Sequence, residues 1–161
     1  MPKAVSAGLL MYRVREEHPG AKRLEVLLAH PGGPYFARKD LGAWGIPKGA
    51  VEPDEDLFQA ACREFTEETG LVSRPPYLPL GGVKYRNHKV VYAWAFEGDC
   101  DPGSITSISF EMEWPKGSGR AVAFPEVDRA AWYSIAEAMD RIMSAQRRFI
   151  EELEAKVTGE A

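Results

Sequence analysis

Three glutamates are spaced so that they could act together. Glu64, Glu67 and Glu68 stand at positions i, i+3 and i+4, which at about 100° per residue places the three carboxylates on one face of a helix. Like charges at this spacing repel each other by a few tenths of a kcal/mol, and acids in the last turns of a helix oppose its dipole. Hard divalent cations such as Mg²⁺ or Mn²⁺ bind carboxylate oxygens and would turn the repulsion into binding. The arrangement therefore favours a metal site over a solvated acidic face.

The segment around these glutamates matches the Nudix box at every position. It reads Gly49, five residues, Glu55, seven residues, and then REFTEETGL over residues 63–71. On this motif the chain resembles the Nudix family, and its predicted elements follow one another in an order that suits a Nudix domain. The resemblance implies an α+β fold, the Nudix α/β/α sandwich, with a mixed sheet and a catalytic loop-helix. It also implies an Mg²⁺-dependent hydrolase that uses water to cut a phosphoanhydride bond in a nucleotide-like substrate.

The resemblance extends to the roles of single residues in the box. Glu64, Glu67 and Glu68 would be the metal ligands, for Mg²⁺ or alternatively Mn²⁺, and the backbone carbonyl of Lys48 would be a further ligand. A carboxylate that is not saturated by metal must accept the proton of the attacking water, and the family does not place this base uniformly. Its candidates here are Glu67, Glu68, Glu111 and Glu113.

Four other residues of the box are expected to support the site without touching substrate. Glu55 and Arg63 look like the ion pair that braces the loop-helix junction in the family. Gly49 would let the loop approach the metal and Gly70 would let the helix end, because glycine adopts backbone conformations that other residues avoid.

The residues that flank the box bear on the substrate, since the box binds only the pyrophosphate that all substrates share. Residues 43–49, AWGIPKG, resemble the Trp-x-x-Pro-Lys-Gly entry of Nudix enzymes that hydrolyse diadenosine polyphosphates, and residues 89–94 and 124–153 resemble the same branch. The resemblance predicts a small-molecule nucleotide substrate, a dinucleoside polyphosphate such as diadenosine tetraphosphate, bound in part by Trp44 and Lys48. A basic cluster with an aromatic inside it would grip the polyphosphate and stack a base: Lys84, Tyr85, Arg86 and Lys89.

Several other functions fit the same box. The substrate could be a nucleoside triphosphate, a nucleotide sugar, a diphosphoinositol phosphate or the 5′-triphosphate end of an RNA. A Nudix-fold module that binds a nucleotide without catalysis is a further alternative. Such a module would be expected to lose box carboxylates, whereas all three are present.

Aromatic side chains could stack on the base of a nucleotide, but some of them also suit a core. Tyr85, Tyr92 and Trp94 fall in predicted strands, where packing explains Tyr85 equally well and explains the other two better. The better stacking candidates lie in predicted loops: Tyr35, Phe36 and Trp114.

The composition limits the class of protein. With 161 residues, 45% of them hydrophobic and 27% charged, we expect a single domain over residues 1–161 with a sizeable core. A net charge of -4 argues against a broad surface for long nucleic acid. Cys62 and Cys100 form neither a disulfide framework nor a zinc-ligand spacing, which favours the cytoplasm. No stretch approaches the roughly 18 apolar residues of a membrane span, so no membrane partner is expected, and oligomeric state is not indicated.

Periodicity and turn signals predict the elements that would position these residues. We predict a helix over residues 54–69 that carries the glutamates. A capping box at Ser134 and Glu137 predicts another helix, followed by an amphipathic segment over residues 146–156. The turn-rich stretch 98–120 predicts a functional or mobile loop. Strands are predicted over residues 4–14, 24–30, 43–46, 80–85, 89–96 and 130–133, in a mixed sheet flanked by helices.

Overall fold

A mixed six-stranded sheet forms the centre of the computed structural model, which describes residues 4–158. Its strand order is β4-β5-β1-β2-β8, with β3 paired to β1, and β1 runs parallel to β5 but antiparallel to β2. Strands β6 and β7 form a separate two-stranded sheet. The ends of the predicted 1–161 domain lie outside the described residues. The strands are β1 (Val5–His18), β2 (Ala21–Pro31), β3 (Lys48–Ala50), β4 (Tyr77–Lys84), β5 (Val90–Glu97), β6 (Ser109–Glu113), β7 (Ala121–Pro125) and β8 (Val127–Ser134).

Three helices cover the two faces of the large sheet: α1 (Leu57–Thr69), α2 (Ile135–Arg141) and α3 (Arg147–Thr158). Because successive side chains of a strand point to opposite faces, Leu9 of β1 packs with Phe65 of α1, while Leu10 packs with Phe149 of α3 on the other side. Two cores therefore lie on either side of the sheet, and the predicted α/β/α sandwich is confirmed. Within the described residues, no helix is both long and apolar enough to span a membrane.

Most of the predicted elements are present. The first two strands form the predicted hairpin, with Tyr12 opposite Val26, and β4 pairs with β5 as expected. At the start of α2, the Ser134 hydroxyl accepts a hydrogen bond from the Glu137 amide while the Glu137 carboxylate accepts one from the Ser134 amide. This reciprocal pair is the predicted capping box.

The predicted strand over residues 43–46 is wrong. Trp44 makes only an isolated bridge to Ile142, and Gly45 makes one to Ala29. The Ile46 amide donates to the side-chain oxygen of Gln146 at 2.9 Å, where a strand would offer it a backbone carbonyl. The segment is therefore held by isolated backbone bridges to two separate partners and by the Gln146 side chain. The strand in this region is the later β3.

Two other predictions need correction. The stretch 98–120 is only in part a loop, because it contains β6, which pairs with β7 from Ser109 opposite Pro125 to Glu113 opposite Ala121. Helix α1 begins at Leu57, later than predicted, with Asp56 as its N-cap. Its predicted first residue, Asp54, has a φ of 64°, which is incompatible with a right-handed helix.

Candidate active site

Helix α1 presents the three glutamates of the box at one side of the sheet. It begins where the Asp56 carboxylate accepts a hydrogen bond from the Gln59 amide, and it ends at Gly70, whose φ is 76°. Only glycine adopts this left-handed conformation without steric cost. Phe65 is fully buried against the sheet, so the helix is anchored by its apolar face and the acidic side is held in place.

Glu68 is the most deeply buried of the three carboxylates, with 8% of its surface exposed. Its Oε1 accepts a hydrogen bond from the Lys48 amide at 3.3 Å. Burial raises the pKa of Glu68 to about 8, and the nearby negative charge of Glu64 adds to the shift. Burial also raises the pKa of Glu64. The site therefore holds carboxyl groups that resist ionisation unless a positive charge is supplied.

Arg63 supplies positive charge from the outer side of this cluster. Its Nε and Nη2 atoms donate to the two carboxylate oxygens of Glu55, each at 2.9 Å. Its Nη1 donates to Glu64 Oε1 at 2.9 Å and to Glu67 Oε2 at 2.8 Å, and Nη2 also reaches the Ala50 carbonyl at 3.0 Å. The Arg63 hydrogen bonds, with one from the Glu52 amide, lower the pKa of Glu55 to about 2.

The box residues fit a hard divalent cation by their chemistry. Within residues 4–158, no three His, Cys, Asp or Glu side chains are gathered closely enough to hold a metal ion as they stand, since the Glu64 and Glu67 carboxylates face Arg63. The backbone of Gly49 lies so close to Glu64 that a Cβ there would be 2.1 Å from the carboxylate carbon. Buried carboxylates beside an approaching backbone form the oxygen-rich surroundings that Mg²⁺ prefers. That these carboxylates are the ligands stays a prediction.

A cavity of about 330 Å³ adjoins the buried carboxylate. Lys48, Glu68 and Glu126 line one part of it, and the remainder is mostly apolar, with Phe36 and Tyr85 among its walls. This volume is at the lower end of the range for small-molecule sites. The cavity can therefore combine charged groups for phosphates with apolar surface for a base.

Of the predicted substrate contacts, Trp44 requires correction because its ring lies in the core. It is 3% exposed and packs edge-on against His30 and Tyr133, with ring centroids 5.1 and 5.3 Å away. Its indole N–H donates to Asp40 at 2.7 Å. The Trp44 side chain, which was expected to contact substrate, therefore packs in the core and supports the loop before Lys48.

The residues of the predicted basic cluster at the β4-β5 turn lie in different surroundings. Tyr85 lines the cavity, and its hydroxyl accepts a hydrogen bond from the Gln146 amide group at 2.7 Å. Arg86 lines a neighbouring groove. Lys84 and Lys89 are exposed and belong to the lining of neither.

The two acidic candidates for the base on the predicted loop lie on β6, outside the lining of the cavity. Glu111 is exposed there, and Glu113 accepts hydrogen bonds from the Gly117 and Gly119 amides at 2.7 and 3.1 Å. Glu126 faces the cavity instead, and its charge contributes to the raised pKa of Glu68. Sequence analysis did not find Glu126, since a lone glutamate between two strands carries no spacing signal.

Sequence analysis also missed two further residues of the cavity wall, Gln146 and Met143. Gln146 is fully buried and joins the Ile46 amide to the Tyr85 hydroxyl, while Met143 lies beside it in the cavity wall. Nothing in their sequence positions marks them as site residues.

Of the aromatic residues considered for stacking on a base, Phe36 lines the cavity. The other aromatic candidates do not: Tyr35 packs on Trp114, Trp94 packs on Phe58, and Tyr92 lies in β5.

Comparisons with known proteins identify the family of the chain. A family model described as "NUDIX domain" matches residues 2–153. An RNA pyrophosphohydrolase of Rhizobium meliloti (strain 1021) is 32% identical over 129 residues, which cover 70% of this chain and 71% of that protein. An RNA pyrophosphohydrolase of Erythrobacter litoralis (strain HTCC2594) is 41% identical over 64 residues, which cover 32% of this chain and only 39% of that protein.

Solved structures share the fold at lower identity. The NUDIX domain of Shewanella oneidensis NrtR, complexed with ADP ribose, has a TM-score of 0.65 at 17% identity and covers 98% of this chain and 90% of that one. A C. elegans Ap4A hydrolase in a binary complex has a TM-score of 0.62 at 20% identity and covers 96% of this chain and 98% of that one.

The buried state of Glu68 predicts how the stability of the metal-free protein depends on pH. Because the pKa of Glu68 is raised to about 8 in the folded protein, the folded state keeps a proton that the unfolded state loses above its ordinary value near 4.5. The free energy of unfolding should therefore fall as pH rises between these values, by on the order of a few kcal/mol. Glu68→Gln should flatten this fall and abolish turnover, as measured by urea unfolding with EDTA and by kinetics. An unchanged pH slope in the variant would contradict the raised pKa of the buried Glu68 carboxyl group.

Arg63→Ala should weaken metal binding without removing a ligand. Glu55 loses its partner, and Glu64 and Glu67 lose the group that positions them, so Mn²⁺ affinity should drop by about tenfold or more. The melting temperature of the metal-free protein should fall as well. Arg63→Lys is the control, because lysine keeps the charge but cannot form the two-pronged pair with Glu55 and should restore only part of the loss. Full stability and metal affinity with a defect only in substrate binding would place Arg63 on the substrate.

Gly49→Ala should disturb Glu64 while leaving the fold intact. The new Cβ would lie 2.1 Å from the Glu64 carboxylate carbon, so the flexible side chain has to move. We expect about tenfold weaker Mn²⁺ binding by calorimetry and a cooperative unfolding transition. Gly103→Ala is the matched control, since its Cβ would meet no atom closer than 3.3 Å. Equal metal affinity in both variants would rule out a close approach at Gly49.

Proposed function

This chain belongs to the Nudix family of hydrolases, and from that premise we propose that it removes pyrophosphate from the 5′-triphosphate end of an RNA, using Mg²⁺. The choice of this substrate rests on the similarity to a protein named RNA pyrophosphohydrolase, which is 32% identical over 70% of the chain. The cavity beside Glu68 supports it, because charged and apolar walls meet there as a terminal nucleotide requires. We further propose that residues 1–161 form a single catalytic domain.

The dinucleoside polyphosphate remains the second candidate. The resemblance of residues 43–49 to diadenosine polyphosphate hydrolases favours it, but Trp44 of that segment is buried in the core. Lys84 and Lys89, which were expected to hold a longer polyphosphate, lie outside the cavity lining. We therefore favour the RNA end over the dinucleoside polyphosphate as the substrate.

The proposed chemistry uses the box as a metal site. Glu64, Glu67 and Glu68, with the backbone carbonyl of Lys48, would hold Mg²⁺, or Mn²⁺ in its place. When bound, the metal neutralises phosphate charge and makes a water molecule more acidic. In the structure, Arg63 holds the Glu64 and Glu67 carboxylates from outside, so these two side chains would turn toward the metal when it binds.

The remaining side chains would bind the substrate and move the proton. The ammonium group of Lys48 attracts the phosphates at the charged part of the cavity. The proton of the attacking water passes to a carboxylate, and Glu68 and Glu126 are the two in the cavity wall. We favour Glu126, because Glu68 is assigned to the metal. Phe36 and Tyr85 would hold the base at the apolar part, where ring faces stack.

A substrate panel tests this proposal. A 5′-triphosphate oligoribonucleotide, ATP, diadenosine tetraphosphate and ADP-ribose are incubated with Mg²⁺, and products are identified by mass. We expect pyrophosphate and a 5′-monophosphate RNA, with the highest kcat/KM for the RNA and no turnover by Glu68→Gln. A higher kcat/KM for diadenosine tetraphosphate, split into ATP and AMP, would replace the RNA end by the dinucleotide. Tight nucleotide binding without any product would instead indicate a binding module.

A further inference from the structure

A short segment before β6, residues 105–108, joins the end of α1 to the turn between β7 and β8, and we call it the strap. The Ile108 amide of the strap donates to the Glu67 carbonyl at 2.9 Å, and its Thr106 amide donates to the Thr69 carbonyl at 3.0 Å. These bonds satisfy carbonyl groups that the last turn of a helix leaves without partners. The strap is therefore fixed to the turn of α1 that carries the box glutamates.

Glu126 is the single residue between β7 and β8, and its backbone is bound on both sides. Its amide donates to the Ile108 carbonyl at 2.9 Å, and its carbonyl accepts a hydrogen bond from the Gly32 amide at 2.9 Å. Gly32 lies so near that a Cβ there would overlap the Pro125 carbonyl oxygen. Because the amide of Ile108 contacts Glu67 and its carbonyl contacts Glu126, one residue of the strap connects the backbone of α1 to that of the cavity glutamate.

The side chain of Ser107 completes this junction. Its hydroxyl donates to the Ile108 carbonyl at 2.8 Å and accepts a hydrogen bond from the Val127 amide at 3.0 Å. Val127 directly follows Glu126, so the Ser107 hydroxyl restrains the chain on one side of Glu126 while the Ile108 carbonyl restrains it on the other. A single substitution can remove the hydroxyl, whereas the backbone bonds of the strap remain.

We propose that Ser107 is a positioning residue, which acts through Glu126 by holding its carboxylate at the cavity beside the end of α1. The inference rests on the proposed function, in which Glu126 accepts the proton of the attacking water. A general base must lie within hydrogen-bond distance of that water, and a displacement of about 1 Å can lower a rate by roughly a hundredfold. Ser107 does not line the cavity, so its effect on the reaction passes through Glu126 and not through contact with a nucleotide.

Ser107→Ala should lower kcat about tenfold and leave KM and Mn²⁺ affinity unchanged, because it displaces Glu126 while the groups that bind phosphate and metal stay in place. Ser107→Thr keeps the hydroxyl and should retain kcat. Ser104→Ala is the matched control, since the Ser104 hydroxyl lies just before the strap and donates to the Asp101 carbonyl at 2.7 Å, and this variant should keep kcat as well. A raised KM or a weaker Mn²⁺ affinity with an unchanged kcat in Ser107→Ala would overturn the assignment.

A double-mutant cycle with Glu126→Gln separates positioning from stability. Glu126→Gln alone should lower kcat by about a hundredfold or more. In the Glu126→Gln protein, Ser107→Ala should have no further effect on kcat, although it should lower the melting temperature as much as in the unmodified protein. A serine that serves only the fold would lower kcat by the same factor in both proteins, and this result would overturn the proposal. Gly32→Ala displaces Pro125 from the opposite side and provides a second variant for the same cycle, should Ser107→Ala fail to fold.

The cycle is measured with a 5′-triphosphate oligoribonucleotide and with diadenosine tetraphosphate, which keeps the two proposals apart. Because the base acts on water, Ser107→Ala should lower kcat by the same factor for each substrate that is hydrolysed. If only diadenosine tetraphosphate is hydrolysed and Ser107→Ala acts through Glu126, the RNA assignment is wrong and the role of Ser107 stands. If RNA is hydrolysed but Glu126→Gln keeps the full kcat, or Ser107→Ala lowers kcat equally with and without Glu126, the role of Ser107 is wrong and the RNA assignment stands.

Discussion

Ionised carboxylates that are taken out of water repel each other, and the molecule must keep several of them together at the end of α1. Glu68 is buried beside Glu64, and its pKa rises to about 8 because burial and the neighbouring charge both oppose ionisation. Arg63 offsets part of this cost with five hydrogen bonds to Glu55, Glu64, Glu67 and Ala50. A divalent cation at this position would remove the remaining repulsion, and this is the physical reason to expect a metal there.

The sheet makes this costly arrangement possible by fixing α1 on one face and α3 on the other. Phe65 secures α1 to the core, while Gln146 reaches across from the α3 side to the Ile46 amide and the Tyr85 hydroxyl. A buried amide that satisfies two partners is sensitive to displacement, since an unpaired buried polar group costs about 1 to 3 kcal/mol. Gln146 therefore links the loop before Lys48 to Tyr85, at the start of the β4-β5 turn, and both line the cavity.

The cations around the β4-β5 turn do not all reach the cleft. Three cations stand within six residues there, but only Arg86 lies in a groove. Lys84 is the last residue of its strand and points into solvent, whereas Arg86 follows Tyr85 into the turn. Neighbouring charges with the same sign can thus have different partners, because the turn geometry and not the charge decides where each one points.

The sequence alone determined the parts of this protein that depend on local spacing. The glutamates of residues 64–68 share a helix face because the helix period is constant, and the capping box at Ser134 was visible as two residues three apart. Only the tertiary structure decided that Trp44 lies in the core, that Glu126 and Gln146 enter the cavity, and that residues 109–113 form a strand. These outcomes depend on contacts between segments far apart in the chain, such as Gln146 with Ile46, and no local period or motif records which distant partner a side chain will meet.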